Sequence, residues 1–334
     1  MRTFIKLAIA LMFGALLANI TPGVASADTQ VRVRLDWVAY GLHAPFFVGV
    51  EKGWFKAKGL DVSIKDGNGS SKTITLVGAA EYDIGHANLS AMVLARNKGL
   101  PVLSVGHIVR KSDVAVIVPS DSGIKTPKDL EGKKVAMTPG GFTDPFFDTL
   151  LRAGGTSRDK LTVIGVTGKA KTSTYVSGAA DAMLSTAPYY LPVLADKRAS
   201  QAILFADYGI PLPGFGLVAN EAFVNKNKQA TSDFVQVFFQ SLAWIYDGNM
   251  AEAVAIFQKH RPDTKLSAKK ITAILDSFEP YLSPESTAGK PLGWHSDSDW
   301  AKAVSLIAKE GLIKADSKPK DFYTNIYVLG GKSS

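Results

Sequence analysis

The stretch Asp61–Gly85, DVSIKDGNGSSKTITLVGAAEYDIG, decides the fold. Val62 and Ile64 alternate with polar residues, as in a half-buried strand, and Gly67-Asn68-Gly69 ends that run. From Ser70 to Ala79 the apolar residues fall at helical spacing, and Tyr82 to Gly85 reads as a second strand. A strand, a helix and a strand joined by short links form a crossover unit, which makes the two strands parallel and lays the helix on the sheet.

The alternation continues on both sides. Val31–Leu35 reads as a strand, and Ala44–Lys56 as a helix that stops at Gly59. Leu89–Asn97 reads as a helix and Pro101–Val109 as a strand. After Val114–Val118 the pattern restarts. Strands are expected at Lys133–Met137, Leu161–Gly165, Ala182–Leu184 and Ala202–Phe205, and helices at Thr143–Arg152 and Thr172–Ser177. From Ser232 onward the chain reads as helices, at Asp233–Tyr246, Ala251–His260 and Ala268–Phe278, with no further strand before Tyr323. The expected fold is therefore α/β and two-lobed, each lobe a mainly parallel sheet flanked by helices. The first lobe is discontinuous (residues 28–114 and 218–334), the second spans 115–217, and two hinge crossings lie near Val114–Val118 and Phe215–Ala219.

The 334 residues contain no cysteine, which excludes disulfides, thiolate metal sites and cysteine nucleophiles together. Arg2 and Lys6 precede an apolar run, Leu7–Ile20, and Val24-Ala25-Ser26-Ala27 ends in a small-x-small pattern, so residues 1–27 read as an export signal cleaved after Ala27. Without a cysteine to acylate, no lipid anchor is expected, and the bacterial periplasm is the expected compartment. The net charge of +8 is spread without a run of like charges, which disfavours nucleic acid as a partner.

Catalytic signatures are missing. There is no G-x-S-x-G elbow, and His43, His86, His107, His260 and His295 show no metal-binding spacing, so no metal is expected. Gly168-Lys169 fails the phosphate-loop spacing. In open α/β sheets, ligands bind beyond the carboxyl ends of strands, so the segments after each strand are the candidate cleft. The first lobe offers Asp36, Trp37, Tyr40 and His43, then Gly69, Ser70 and Ser71, then His86 and Asn88. The second offers Gly140, Gly141, Phe142 and Thr143, then Thr186, one of Tyr189 and Tyr190, with Tyr189 chosen, and Asp207. Ser70 and Thr143 are also candidate helix caps, and Phe46 is a candidate core residue. Aromatic walls with a few placed polar groups are the vocabulary of small-molecule binding.

Leu35-Asp36-Trp37, His43, Glu51-Lys52-Gly53-Trp54-Phe55 and Lys58-Gly59-Leu60-Asp61-Val62 resemble the opening of the periplasmic substrate-binding proteins of nitrate/sulfonate/taurine-type ABC importers. The similarity is to the branch of thiamine-pyrimidine synthase-like and pyrimidine-precursor-binding proteins. Gly99-Leu100-Pro101-Val102, Asp129-Leu130-Glu131-Gly132-Lys133-Lys134-Val135 and Gly178-Ala179-Ala180-Asp181-Ala182 extend it over most of the chain. The resemblance implies a type II periplasmic binding protein fold that closes on one small molecule and delivers it to an ABC permease in the inner membrane, working as a monomer without a cofactor. The pyrimidine-binding members open with D-W-x-x-N-x-x-H-x-G; here Asp36, Trp37 and His43 match, while Tyr40 replaces the Asn and Pro45 the Gly. Eukaryotic synthases of the superfamily use pyridoxal phosphate and a cysteine-rich motif, which this chain lacks.

These readings converge on a solute-binding protein, not an enzyme, for a heterocyclic or aromatic solute such as a pyrimidine. Trp37, Tyr40 and His43 would stack and hydrogen-bond. Three alternatives stay open: a sulfonate, taurine or nitrate-type anion at the Ser/Gly helix starts, an exported enzyme using Asp36 with His43 or His86, and a module that signals to a membrane receptor.

Overall fold

Ten strands fall into two five-stranded sheets in the computed structural model, which describes residues 28–330. The export signal expected at residues 1–27 lies outside the described residues.

The first sheet has the order β2-β1-β3-β10-β4, built from β1 (Thr29–Arg34), β2 (Leu60–Lys65), β3 (Ile84–Asn88), β4 (Val102–His107) and β10 (Phe215–Asn220). The second has the order β7-β6-β8-β5-β9, from β5 (Val114–Pro119), β6 (Lys134–Met137), β7 (Thr162–Gly165), β8 (Ala182–Thr186) and β9 (Ser200–Leu204). In each sheet the first three strands are parallel. One strand drawn from elsewhere in the chain is then inserted antiparallel: β10 between β3 and β4, and β5 between β8 and β9.

This exchange corrects the expected crossings. Val114–Val118 pairs wholly within the second sheet and Phe215–Ala219 wholly within the first, so the chain passes between sheets through residues 108–113 and 205–214. Each run is used over its whole length by the two neighbours it has in one sheet, which leaves the change of sheet to the links outside it. Tyr323 forms a lone bridge to Ser104 in place of a strand.

Short helices follow the strands: α1 (Ala44–Glu51), α2 (Ser70–Gly78), α3 (Leu89–Asn97), α4 (Phe147–Ala153), α5 (Gly168–Val176) and α6 (Ala187–Leu194). After β10 come α7 (Glu221–Lys226), α8 (Lys228–Tyr246), α9 (Met250–His260), α10 (Ala268–Leu282) and α11 (Asp297–Lys309). Helices α8 and α9 cover α1 and the turn after it with aromatic contacts: Phe46 with Phe238 at 4.6 Å, Phe55 stacked on Phe234 at 5.1 Å, and Phe47 with Phe257 at 5.5 Å. Phe46 is thus core, as expected. Helix α11 instead buries Trp300, Val304 and Ile307 in a cluster fed by both sheets. Helix α10 also reaches the second sheet's side, where Lys270 Nζ donates to Pro192 O at 2.7 Å.

Asp113 sits where the first crossing enters β5. It is fully buried, and both carboxylate oxygens lack a hydrogen-bond partner among the described residues. Burial, with the Asp36 charge as a lesser contribution, pushes its carboxyl up to about 7. Because the folded value lies above the unfolded one, the penalty is absent below the unfolded pKa, grows as pH rises, and is complete above about 7. Stability is therefore expected to fall by about 2–4 kcal/mol from this group between pH 4 and 7.5. Asp113→Asn should flatten that slope in urea melts measured across the range; an unchanged slope would refute the assignment.

Candidate functional site

A cavity of about 250 Å³ lies between the sheets, lined by the segments that follow β1, β2, β6, β7 and β8. The carboxyl ends of the parallel strands form it, as open α/β sheets require.

From the first sheet, Asp36, Trp37 and Tyr40 line the cavity after β1, and Gly69, Ser70 and Ser71 after β2. The β1 segment is locked by its neighbours. Gly67 N–H donates to Trp37 O at 3.0 Å, Gly69 N–H to Asp36 O at 2.6 Å, and Thr73 Oγ1 to Leu35 O at 2.7 Å. A side chain at Gly67 would collide with the Leu35 carbonyl.

Asp36 is buried and uses one oxygen twice. His43 Nδ1 accepts from Tyr40 N–H at 3.2 Å, so its proton sits on Nε2, which donates to Asp36 Oδ1 at 2.8 Å. His86 Nδ1 donates to the same oxygen at 2.7 Å. Against the opposing pull of burial, the two imidazoles hold Asp36 well below the usual carboxylate range, while burial drops His43 to about 4. At neutral pH the aspartate is ionised and His43 neutral. Oδ2 has no protein donor among the described residues.

Three ligand atoms this close invite a metal, since Asp36, His43 and His86 lie within 4.8 Å of one another. The hydrogen bonds argue otherwise. A metal on His43 Nε2 would move the ring proton to Nδ1, where the Tyr40 N–H already points, setting two donors face to face.

From the second sheet, Gly140, Gly141, Phe142 and Thr143 line the cavity after β6, and Thr186 and Tyr189 after β8. Tyr190 lines it as well, which corrects the expectation that only one of the pair would; α6 presents its first turn to the cleft, so adjacent residues reach it. Contacts cross the gap. Tyr40 meets Tyr189 edge-on at 4.7 Å, and Phe142 meets Phe215 at 5.8 Å.

Four expected residues lie elsewhere. His43 and His86 are fully buried against Asp36 and do not line the cavity. Asn88 is buried because its side chain caps α3, accepting from Ser90 and Ala91 N–H at 3.1 and 3.3 Å. Asp207 is exposed on the turn after β9, an edge strand, and falls outside the cavity. The caps differ too. Gly69 is the N-cap of α2, at φ 133°, and Ser70 is its first residue, with Oγ accepting from Asn88 N–H at 3.0 Å. Thr143 makes no side-chain cap bond.

Among the residues that sequence reasoning missed are Lys72, Thr138, Gly168, Lys171, Ser185 and Phe215. Applying the strand-end rule to β7 would have found Gly168 and Lys171. Thr138 Oγ1 is buried without a partner, a polar atom waiting at the wall. A Cβ at Gly168 would stand 2.8 Å from the Trp37 ring across the gap. Gly168→Ala is expected to leave the melting temperature within a few degrees, yet to shift Trp37 emission and oppose approach of the two walls by about 1–3 kcal/mol. Tryptophan fluorescence and small-angle scattering read this; unchanged emission would refute it.

Comparison with known proteins agrees with this architecture. The chain is 25% identical over 333 residues to the formylaminopyrimidine-binding protein of Halalkalibacterium halodurans, covering 96% of this chain and 98% of that one. It is 26% identical over 307 residues to the 4-amino-5-hydroxymethyl-2-methylpyrimidine phosphate synthase of Aspergillus parasiticus, covering 88% and 85%. Among solved structures, the alkanesulfonate-binding protein SsuA from Xanthomonas axonopodis pv. citri bound to MOPS superposes with a TM-score of 0.69 at 14% identity, covering 90% of this chain and 100% of that one, a likeness of fold. The match to the family described as NMT1/THI5 like runs over residues 41–249, and with its two sheets in a periplasmic-binding-protein fold this chain belongs to that family.

Proposed function

We propose that this protein is the solute-binding component of an ABC importer, working in the periplasm. It captures a small heterocyclic or aromatic solute, of the pyrimidine class that includes thiamine precursors, by closing two lobes on it and presenting the pair to a permease. The observation that carries this reading is the aromatic cavity with one wall from each sheet, Trp37 and Tyr40 facing Phe142 and Tyr189, above an ionised Asp36 with a free oxygen. A flat ring suits a cavity bordered by such walls, and a ring amino group fits that oxygen. The pyrimidine-binding relative supports the ligand class. The crossings at residues 108–113 and 205–214 are the natural hinge. Among the described residues no helix is long and apolar enough to cross a membrane.

Binding without chemistry is favoured over catalysis because the two histidines that would pair with Asp36 are sealed behind it. A second reading, an anionic solute, is favoured by one observation. Helix α2 opens on the cavity without a side-chain cap, so its first N–H groups are free for an oxyanion.

A thermal-shift screen of protein refolded to remove carried-over solute, against pyrimidines, vitamins, aromatic acids, sulfonates, nitrate and taurine, separates these readings. A ligand at a hundred times its Kd contributes about 2.7 kcal/mol. Hits among ring compounds support the proposal, hits confined to sulfonates or nitrate favour the anion reading, and no hit refutes both. Trp37→Ala is expected to weaken binding of a ring hit at least about tenfold while leaving the unliganded melting temperature within a few degrees. Equal affinity in the variant would remove Trp37 from the site.

A further inference from the structure

One charged group of the cavity has no role in that reading. Lys171, on α5, lines the wall supplied by the second sheet and is 7% exposed. Its ammonium donates to Leu184 O at 2.8 Å and to Ser185 Oγ at 3.3 Å, and its third N–H has no acceptor among the described residues. Among the described residues no carboxylate pairs with it. Burial alone pulls it down to about 8, without an opposing pull from any acid. The Tyr190 ring, 5.6 Å away, is its other neighbour.

A buried cation without a counter-ion is costly, and it is sustained where something else supplies the compensating charge. The other cleft lysine, Lys72, is exposed and carries no such cost. On the facing wall the order is reversed: Asp36 Oδ2 is an acceptor in search of a donor. The cavity thus has a donor-seeking end and an acid-seeking end on opposite walls.

Resting on the ring-solute reading above, we infer that the solute is acidic as well as aromatic, seating a carboxylate or other oxyanion of its own against Lys171 while Asp36 accepts a hydrogen bond from its far side. Lys171 then decides between an acid and its neutral counterpart. Because the anion favours the charged amine, binding above neutral pH draws a proton from solution.

The test uses matched pairs that also carry an amino donor: 2-aminopyrimidine-5-carboxylate against its carboxamide, 6-aminonicotinate against 6-aminonicotinamide, and 4-aminobenzoate against 4-aminobenzamide, titrated calorimetrically into the solute-free protein. The acid of at least one pair is expected to bind at least about tenfold tighter than its amide at pH 7. Lys171→Met should abolish that preference, read as the ratio of acid to amide affinity within the variant. In the unaltered protein, titrations at pH 8.5 in two buffers of different ionisation enthalpy should show proton uptake with the acid and none with the amide, a readout that needs no variant. An amide that binds as well as its acid overturns the inference and leaves the ring-solute reading intact. So does an acid preference that survives in Lys171→Met, or acid binding without proton uptake. If neither member of any pair binds, both fall.

Discussion

One carboxylate oxygen holds the first wall of the cleft together. Asp36 Oδ1 accepts hydrogen bonds from His43, at the start of α1, and from His86, on β3, so the end of β1, the first helix and the third strand converge on one atom. A buried carboxylate is tolerable only when its charge is met by donors, and here two imidazole N–H groups supply them. The Gly67–Gly69 loop clasps the same turn through backbone hydrogen bonds to Asp36 and Trp37. Trp37 and Tyr40 take their directions from this knot.

The knot also connects the two sheets. His86 lies flat on Phe215 at 5.3 Å, and Phe215 in turn meets Phe142 of the second sheet. Phe215 opens β10, the strand that returns from the second crossing. Asp36 and the passage of the chain between sheets are therefore linked by one hydrogen bond and one ring contact, which is close enough for one to influence the other.

The α/β alternation was legible because parallel strands with crossover helices write two distinct periods into the sequence, and the strand-end rule then pointed at Asp36, Trp37, Ser70 and Thr186. What a strand pairs with is not written locally. Val114–Val118 and Phe215–Ala219 are short apolar runs that fit either sheet, and only the finished ladder assigns them. Asn88 has the chemistry of a ligand donor and the position of a helix cap, and the cap prevailed because α3 starts inside the fold, where its free N–H groups need a partner. Lys171 escaped notice for the opposite reason: lysine is a surface residue by default, and nothing in its neighbours announces burial.

The exchange of strands has a consequence for how the chain acquires its structure. All five strands of the second sheet lie within residues 114–204, an unbroken segment, whereas β3 and β4 of the first sheet are joined only through β10, at residues 215–220. As the polypeptide emerges, the inner unit can complete itself while the earlier-made β4 still waits for a partner. The N-terminal strands are thus the first to appear and the last to be enclosed, with apolar ladder edges open in the interval. A slow, long-range closure of this kind is where aggregation competes with folding, and where a holding chaperone would act.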